Sequence, residues 1–342
     1  MGAARQLGLN TGRLKPGPGN SITDVPGVLV GHWTRIEDGV ATGVTAIKPH
    51  DGNLFQSKVR AAVEVINGFG KSAGLMQLAE LGTIETPILL TNTFSVAPCI
   101  EALIEEAIAA NPEIGRTTGT VNSLVCECND GAINDIQARL ITPQNAQIAL
   151  ESAHHGPVEQ GNIGAGAGMT SFGFKAGIGS ASRLIAIGEE NFTLGALVLS
   201  NFGRAGDLIL PDGRRPDPKI PPRPESGSII IVLGTNLPLE ERQLGRVARR
   251  AGAGIARLGS FWGHGSGDVS IAFTTADPKP HKPCLPISTI SRLHDDYIDH
   301  VFEAAVEATA EAVLNALCAA KSVMGRNGRK IPALRDWLGQ AG

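Results

Sequence analysis

Ser228-Ile229-Ile230-Ile231-Val232-Leu233 is followed by an Arg-rich amphipathic stretch over Pro238–Leu258. Next come the glycine-rich residues Gly259–Asp268 and the alternating run Val269-Ser270-Ile271-Ala272-Phe273-Thr274-Thr275. This order of apolar strand, helix, loop and alternating strand decides the fold class, because short β-branched runs read as strands and 3.6-residue apolar spacing reads as helix. The same alternation extends toward the N-terminus. Leu194–Ser200 is a second strong strand, and Val25–Gly31, Val44–Ile47 and Ala61–Ile66 are shorter ones. Thr86–Thr91 is almost wholly apolar, as expected of a strand covered on both faces. Helical spacing covers Ser72–Leu81, Ala97–Ala110, with Glu101, Glu105 and Glu106 on its outer face, and the Ala-rich Val301–Ala320. No internal repeat or domain boundary interrupts the pattern, so residues 1–342 read as one α/β unit.

Between Gly161 and Gly179 seven glycines punctuate the chain, a spacing that suits strands passing close to other backbone or to a ligand. The strand, glycine turn, helix and distal acid of a dinucleotide site do not occur in that order, and there is no phosphate-binding P-loop motif. Pro211–Pro224, rich in proline and with four basic residues, reads as a solvated extended loop.

Composition narrows the function classes. A 42% hydrophobic share supports a sizeable core, whereas aromatic residues at 4% disfavour a binder of stacked bases. Thirty Lys and Arg against 33 Asp and Glu give a net charge of −3, without an electrostatic footprint for nucleic acid or an anionic membrane. Five scattered cysteines read as buried thiols, and Cys126-x-Cys128 lacks the second pair of a zinc site. Residues 1–12 contain no apolar leader segment and no apolar run approaches membrane-spanning length, so a cytoplasmic protein is expected. The eight histidines form no metal-binding pattern; no metal and no cofactor are expected.

One Gly-Ser pair stands apart from the chain's other three. Gly265-Ser266 lies between Gly263 and Gly267, at the mouth of the alternating strand, with the carboxylate of Asp268 two residues on. The order His264-Gly265-Ser266-Gly267-Asp268 is not the G-x-S-x-G elbow of α/β-hydrolases. A Ser hydroxyl can attack the carbonyl just before it when the backbone is held for it, and Gly removes the obstructing Cβ. Hydrolysis of the resulting ester would leave a Ser whose α-amino group, with an ordinary pKa of about 7.7–8.0, can serve as a base. The other reading of these residues is a glycine-rich turn entering a strand.

Further motifs recur along almost the whole chain: Gly19-Asn20-Ser21-Ile22-Thr23-Asp24-Val25-Pro26-Gly27-Val28, Ala41–Ile47, Asn67-Gly68-Phe69-Gly70-Lys71, and Gly82-Thr83-Ile84-Glu85-Thr86-Pro87-Ile88. Glu127-Cys128-Asn129-Asp130-Gly131, Ser200-Asn201-Phe202-Gly203, Gly265-Ser266-Gly267-Asp268 and Glu307-Ala308-Thr309 complete the set. In this order they resemble the DmpA-type family of L-aminopeptidase/D-amidase/D-esterases and β-aminopeptidases, self-cleaving hydrolases with an N-terminal serine nucleophile. The resemblance implies a four-layer α-β-β-α sandwich of the Ntn-hydrolase-like type. It implies self-cleavage between Gly265 and Ser266 into 1–265 and 266–342, with Ser266 as nucleophile and, through its new amine, as base. Asn201 matches the oxyanion-hole amide, against the plainer reading of a strand-end turn cap. Glu127 matches the acid that receives the substrate's α-ammonium, against the plainer reading of a surface strand residue; Asn129 falls with it in the substrate site. The implied activity is release of N-terminal residues from short peptides, amino-acid amides or esters through an acyl-serine, by an oligomer of cleaved pairs. An uncleaved, non-catalytic relative that binds a small amine-bearing ligand is the alternative.

Two departures from the family pattern stand out. Ala132 follows Gly131 where a Tyr or Trp is common. Ala305-Val306-Glu307 is the match to a Ser-x-Glu, so Glu307 is expected to orient the Ser266 amine without a serine relay; Glu303 or Glu311, on the same helical face, is the alternative for that role.

Overall fold

The computed structural model describes residues 2–340 except 38, 222–223 and 327. Met1, Ala341 and Gly342, the extremes of the expected 1–342 unit, and Pro222 and Arg223 of the proline-rich stretch lie outside the described residues.

Two sheets form the centre. The smaller has the order β1 (Leu29–Glu37), β2 (Val40–Lys48), β5 (Ile88–Asn92), β6 (Leu124–Cys128). The larger has the order β4 (Thr83–Ile84), β3 (Ser57–Gly68), β12 (Gly267–Pro280), β11 (Ser228–Thr235), β10 (Glu190–Asn201), β9 (Gly177–Ile187). A minor hairpin, β7 (Thr170–Ser171) and β8 (Phe174–Lys175), precedes β9. The helices are α1 (Ala3–Gln6), α2 (Leu75–Leu81), α3 (Val96–Ala110), α4 (Pro143–Glu151), α5 (Glu241–Ala256), α6 (Ile298–Ala319) and α7 (Leu334–Gln340).

Three hydrophobic clusters define four layers. Ile47, Leu90 and Cys126 of the small sheet pack on Leu197, Ile230 and Ile271 of the large one, which fills the space between the sheets. Leu89 and Val125, on the other face of the small sheet, meet Leu103 of α3 and Ala149 of α4. Val198 and Ile231, on the outer face of the large sheet, meet Leu244 of α5 and Leu314 of α6. Alternate residues of one strand thus serve different layers, which is why central strands such as β11 are apolar throughout.

One strand expectation shifts. Ile22–Asp24 is a short 3₁₀ turn, and β1 begins only at Leu29. Pro26 has no N–H for a ladder, and Gly27, at φ +91°, closes a turn in which Val28 N donates to Val25 O at 3.1 Å. In the Gly161–Gly179 region close backbone approach is the rule: a Cβ on Gly179 would collide with the Ala312 carbonyl of α6, and one on Gly166 with the Ile178 nitrogen.

The register matters most for the site. β10 and β11 are antiparallel with Asn201 opposite Ser228; β11 and β12 are parallel with Ser228 opposite Gly267; β12 and β3 pair Gly267 with Gly68. The end of β10 and the starts of β11 and β12 therefore lie side by side at one end of the large sheet.

Candidate active site

Ser266 sits just before β12, where the chain turns: its N–H donates to Gly263 O at 2.9 Å. Its carbonyl accepts from Phe69 N at 3.3 Å and from the Asn67 side-chain amide, whose nitrogen also lies 3.1 Å from Gly263 O and 3.2 Å from His264 O. Asn67, at the end of β3, thus lies against three carbonyls of the turn, those of Gly263, His264 and Ser266. Trp262, at φ +54°, enters the turn in a conformation that costs a non-glycine residue energy. Glu225 braces the other side: one carboxylate oxygen accepts from Gly263 N and the other from Gly203 N, each at 3.0 Å. The turn and the corner after Asn201 are therefore tied to one carboxylate.

The Ser266 side chain is 0% exposed and its hydroxyl donates to Asp268 Oδ1 at 2.7 Å. Burial, aided by the nearby Glu225 charge and opposed by the Ser266 hydrogen bond, raises the Asp268 carboxyl to about 6. Its second oxygen, Oδ2, is buried with no hydrogen-bond partner among the described residues.

Asn201 ends β10. Its Oδ1 accepts from Thr170 N at 2.9 Å and its Nδ2 donates to Asn129 O at 3.0 Å, so the amide is fixed in orientation with one N–H uncommitted among the described residues. The turn-cap reading describes half of this arrangement, since Oδ1 does anchor a backbone N–H. Asn129 contributes its carbonyl to Asn201 and its side chain to its own turn, accepting from Gly131 N at 2.8 Å.

Glu127, near the end of β6, is not a surface strand residue: it is 3% exposed. Its Oε1 accepts from Lys71 N at 2.7 Å and its Oε2 from the Thr93 hydroxyl. The space over Gly70 connects it to the turn: a Cβ there would lie 3.5 Å from Glu127 Oε1 and 3.8 Å from Gly267 Cα. Cys128, between the sheets, is pushed well above the usual thiol range by burial and by the charges of Glu127 and Asp268. A cleft of about 500 Å³ is walled by Asn129, Ala132, Asn201, Glu225, Ser226 and Gly227 among others. Ile220, Pro221 and Pro224 also line it, so the proline-rich stretch shapes access to it.

The structure brings Gly265, Ser266, Asn201, Asn129 and Glu127 to one end of the sheets. It does not bring Glu307. That carboxylate accepts from Arg183 Nε at 2.9 Å, Arg13 N at 2.9 Å and Leu14 N at 3.0 Å. Arg183 on β9 lies opposite Leu194, which lies opposite Thr235, at the other end of the ladder from Asn201 and Ser228. At about 3.3 Å per residue this is roughly 20 Å along the strands. Glu303 and Glu311 face the same way, onto Arg13, Arg5 and Arg183. The expectation that Glu307 orients the Ser266 amine is therefore corrected: Glu307 and Glu311 neutralise the buried Arg183, and Glu303 pairs with the exposed Arg13. Glu225, Thr93 and the bond from Ser266 to Asp268 were given no role from sequence. Asp268 was visible there as the nearest carboxylate, but Glu225 lies in a loop whose composition signals only solvation.

The chain matches the model of peptidase family S58 over residues 20–331. The chain belongs to that family. It is 36% identical to the β-peptidyl aminopeptidase BapA of Sphingosinicella microcystinivorans, an alignment covering 97% of this chain and 89% of the relative. A β-aminopeptidase from a Burkholderia species superposes with a TM-score of 0.91 at 36% identity, covering 100% of this chain and 98% of that one. The L-aminopeptidase D-Ala-esterase/amidase of Ochrobactrum anthropi, described as a prototype of the serine aminopeptidases and a variant of the Ntn-hydrolase fold, superposes with a TM-score of 0.89. It is 36% identical, with 99% and 98% of the two chains covered. This S58 chain is accordingly a serine-type aminopeptidase, and the stacked sheets place it in the Ntn-hydrolase-like fold. Among the described residues no helix is long and apolar enough to cross a membrane.

Proposed function

We propose that this S58 chain cuts itself between Gly265 and Ser266 and then releases N-terminal residues from short peptides, amino-acid amides or esters through an acyl-Ser266 intermediate. The observation that carries the reading is the shared register: the Gly263–Ser266 turn, the Asn201 amide and, across Gly70, the Glu127 carboxylate meet at one end of the sheets. In the unbroken chain the Ser266 hydroxyl is buried and its nitrogen is an amide, so it is neither reachable nor self-activating. A cut at Gly265 turns that amide into a free amine.

In the proposed turnover, the new α-amine takes the hydroxyl proton as Oγ attacks the substrate carbonyl. The uncommitted N–H of Asn201 faces the developing oxyanion, and the leaving amine receives the proton. Water then releases the acyl group by the same route. Glu127 has two oxygens with four acceptor sites, of which two are used, and the remainder suit a substrate ammonium. A buried carboxylate there favours substrates with a free N-terminus, since an uncharged end would leave it unpaired. Ala132 lines the cleft where a ring is common, leaving a wider pocket. The family membership weighs against a non-catalytic amine binder.

Five free cysteines, four of them buried, support a reducing, cytoplasmic setting. Self-association is supported by Leu285 and Ile287, 70% and 84% exposed in one loop. The test is direct: the purified wild-type chain should run as two bands on a denaturing gel and Ser266→Ala as one inactive band. A panel of L-, D- and β-aminoacyl anilides then assigns the substrate class. An active wild type that runs as one band would overturn the reading.

A further inference from the structure

The proposed cut raises a problem of bases. The amine that serves in turnover does not exist until the Gly265–Ser266 bond is broken, so the first proton transfer needs another acceptor. We propose that Asp268 is that acceptor, a catalytic residue of the self-cleavage step; the inference rests on the function proposed above.

Three observations support it. Asp268 Oδ1 already holds the Ser266 hydroxyl at 2.7 Å. Its Oδ2 is buried with no hydrogen-bond partner among the described residues, which a purely structural carboxylate would not leave unexplained. The other titratable groups around the turn do not hold the Ser266 hydroxyl or are unsuited. Glu225 spends one oxygen on each of Gly203 N and Gly263 N. Glu127 holds Lys71 N and Thr93. Burial keeps the Cys128 thiol protonated, and His264 points outward with its ring 6.1 Å from that of Phe69. Burial also makes Asp268 a better base than an ordinary aspartate while leaving it ionised at neutral pH.

The step balances as an acyl shift. The Ser266 hydroxyl proton passes to Asp268, and Oγ bonds to the Gly265 carbonyl carbon. The Gly265–Ser266 C–N bond then breaks, and the proton moves from Asp268 to the departing Ser266 nitrogen, which becomes a free amine. Water hydrolyses the Gly265 ester, giving the Gly265 carboxylate and restoring the Ser266 hydroxyl.

The experiment follows full-length chain made in a cell-free translation pulse, sampled over time on denaturing gels between pH 5 and 8. Wild-type cleavage should accelerate about tenfold per pH unit below about 6 and level off above it. Asp268→Asn, which keeps a side-chain oxygen for the hydroxyl, should cut at least about 100-fold more slowly with an unchanged circular dichroism spectrum. Asp268→Asn cutting at the wild-type rate, or a wild-type rate that is flat from pH 5 to 7, overturns the inference. If the variant does not fold, the wild-type profile decides alone. Ser266→Ala separates the two levels. Should that chain also be cut at Gly265, the proposed function itself fails; should it stay whole while Asp268→Asn is cut normally, only the role of Asp268 falls.

Discussion

Replacing Glu127 by Gln removes one charge and little else. The amide oxygen can still accept from Lys71 N, and the amide nitrogen can donate to the Thr93 hydroxyl, so both anchors of the wild-type carboxylate survive. What disappears is the negative charge proposed to meet the substrate ammonium, at a position 3% exposed to solvent. A hydrogen bond to a charged group is worth about 1.5–3 kcal/mol, and burial puts this one at the upper end. Taking about 3 kcal/mol, kcat/KM on an aminoacyl anilide should fall roughly 100-fold. If the ammonium is gripped equally before and during reaction, the loss appears mainly as a higher KM. The decisive assay pairs this substrate with its analogue lacking the α-amino group. Wild type should discriminate between them by about two orders of magnitude, and Glu127→Gln by little. The variant should still mature into two bands, since Glu127 does not touch Ser266. Equal losses on both substrates, or no loss on either, would refute the assignment of Glu127 to the ammonium.

Asn201→Ala should lower kcat by about 10²–10³ with little change in KM, measured on the matured enzyme, because the amide is proposed to act only on the oxyanion. Glu307→Gln should leave the pH profile of cleavage and turnover unchanged while lowering the melting temperature. It strips one of the two carboxylates from the fully buried Arg183, and breaking a buried pair costs about 3–5 kcal/mol. Asp268 should make the uncut Ser266→Ala chain less stable as pH rises. The folded-state value near 6 lies above the ordinary 3.8, so between the two the native state holds more protons than the unfolded one, and stability falls by up to about 3 kcal/mol. Loss of the hydroxyl bond in that background extends the window upward. Asp268→Asn in the same chain should abolish this slope, read by urea unfolding at each half unit of pH.

The layered core was legible because its strands are apolar for a physical reason. Leu194–Ser200 and Ser228–Leu233 are covered on both faces, and the two alternating faces of each strand feed different clusters. The turn that carries Ser266 is legible from its glycines, and Asn201 and Glu127 stand out because they lie in ordered motifs. Glu307 was misplaced for an equally definite reason. Helical spacing gives the face a carboxylate shares, so Glu303, Glu307 and Glu311 were correctly grouped, but it does not say which end of a sheet that face covers. A signal was present in Arg183, a cation within an otherwise small and apolar strand, since a buried arginine demands buried acids. Glu225 had no such signal. Its role depends on two backbone N–H groups, of Gly203 and Gly263, that are distant in sequence and converge only in the folded chain.

N-terminal sequencing and intact mass of a freshly purified, fully active preparation reach the core of the account. Two polypeptides of 265 and 77 residues, the smaller beginning at Ser266, are expected from the 342-residue chain. Full activity in a preparation whose Gly265–Ser266 bond is unbroken would contradict it.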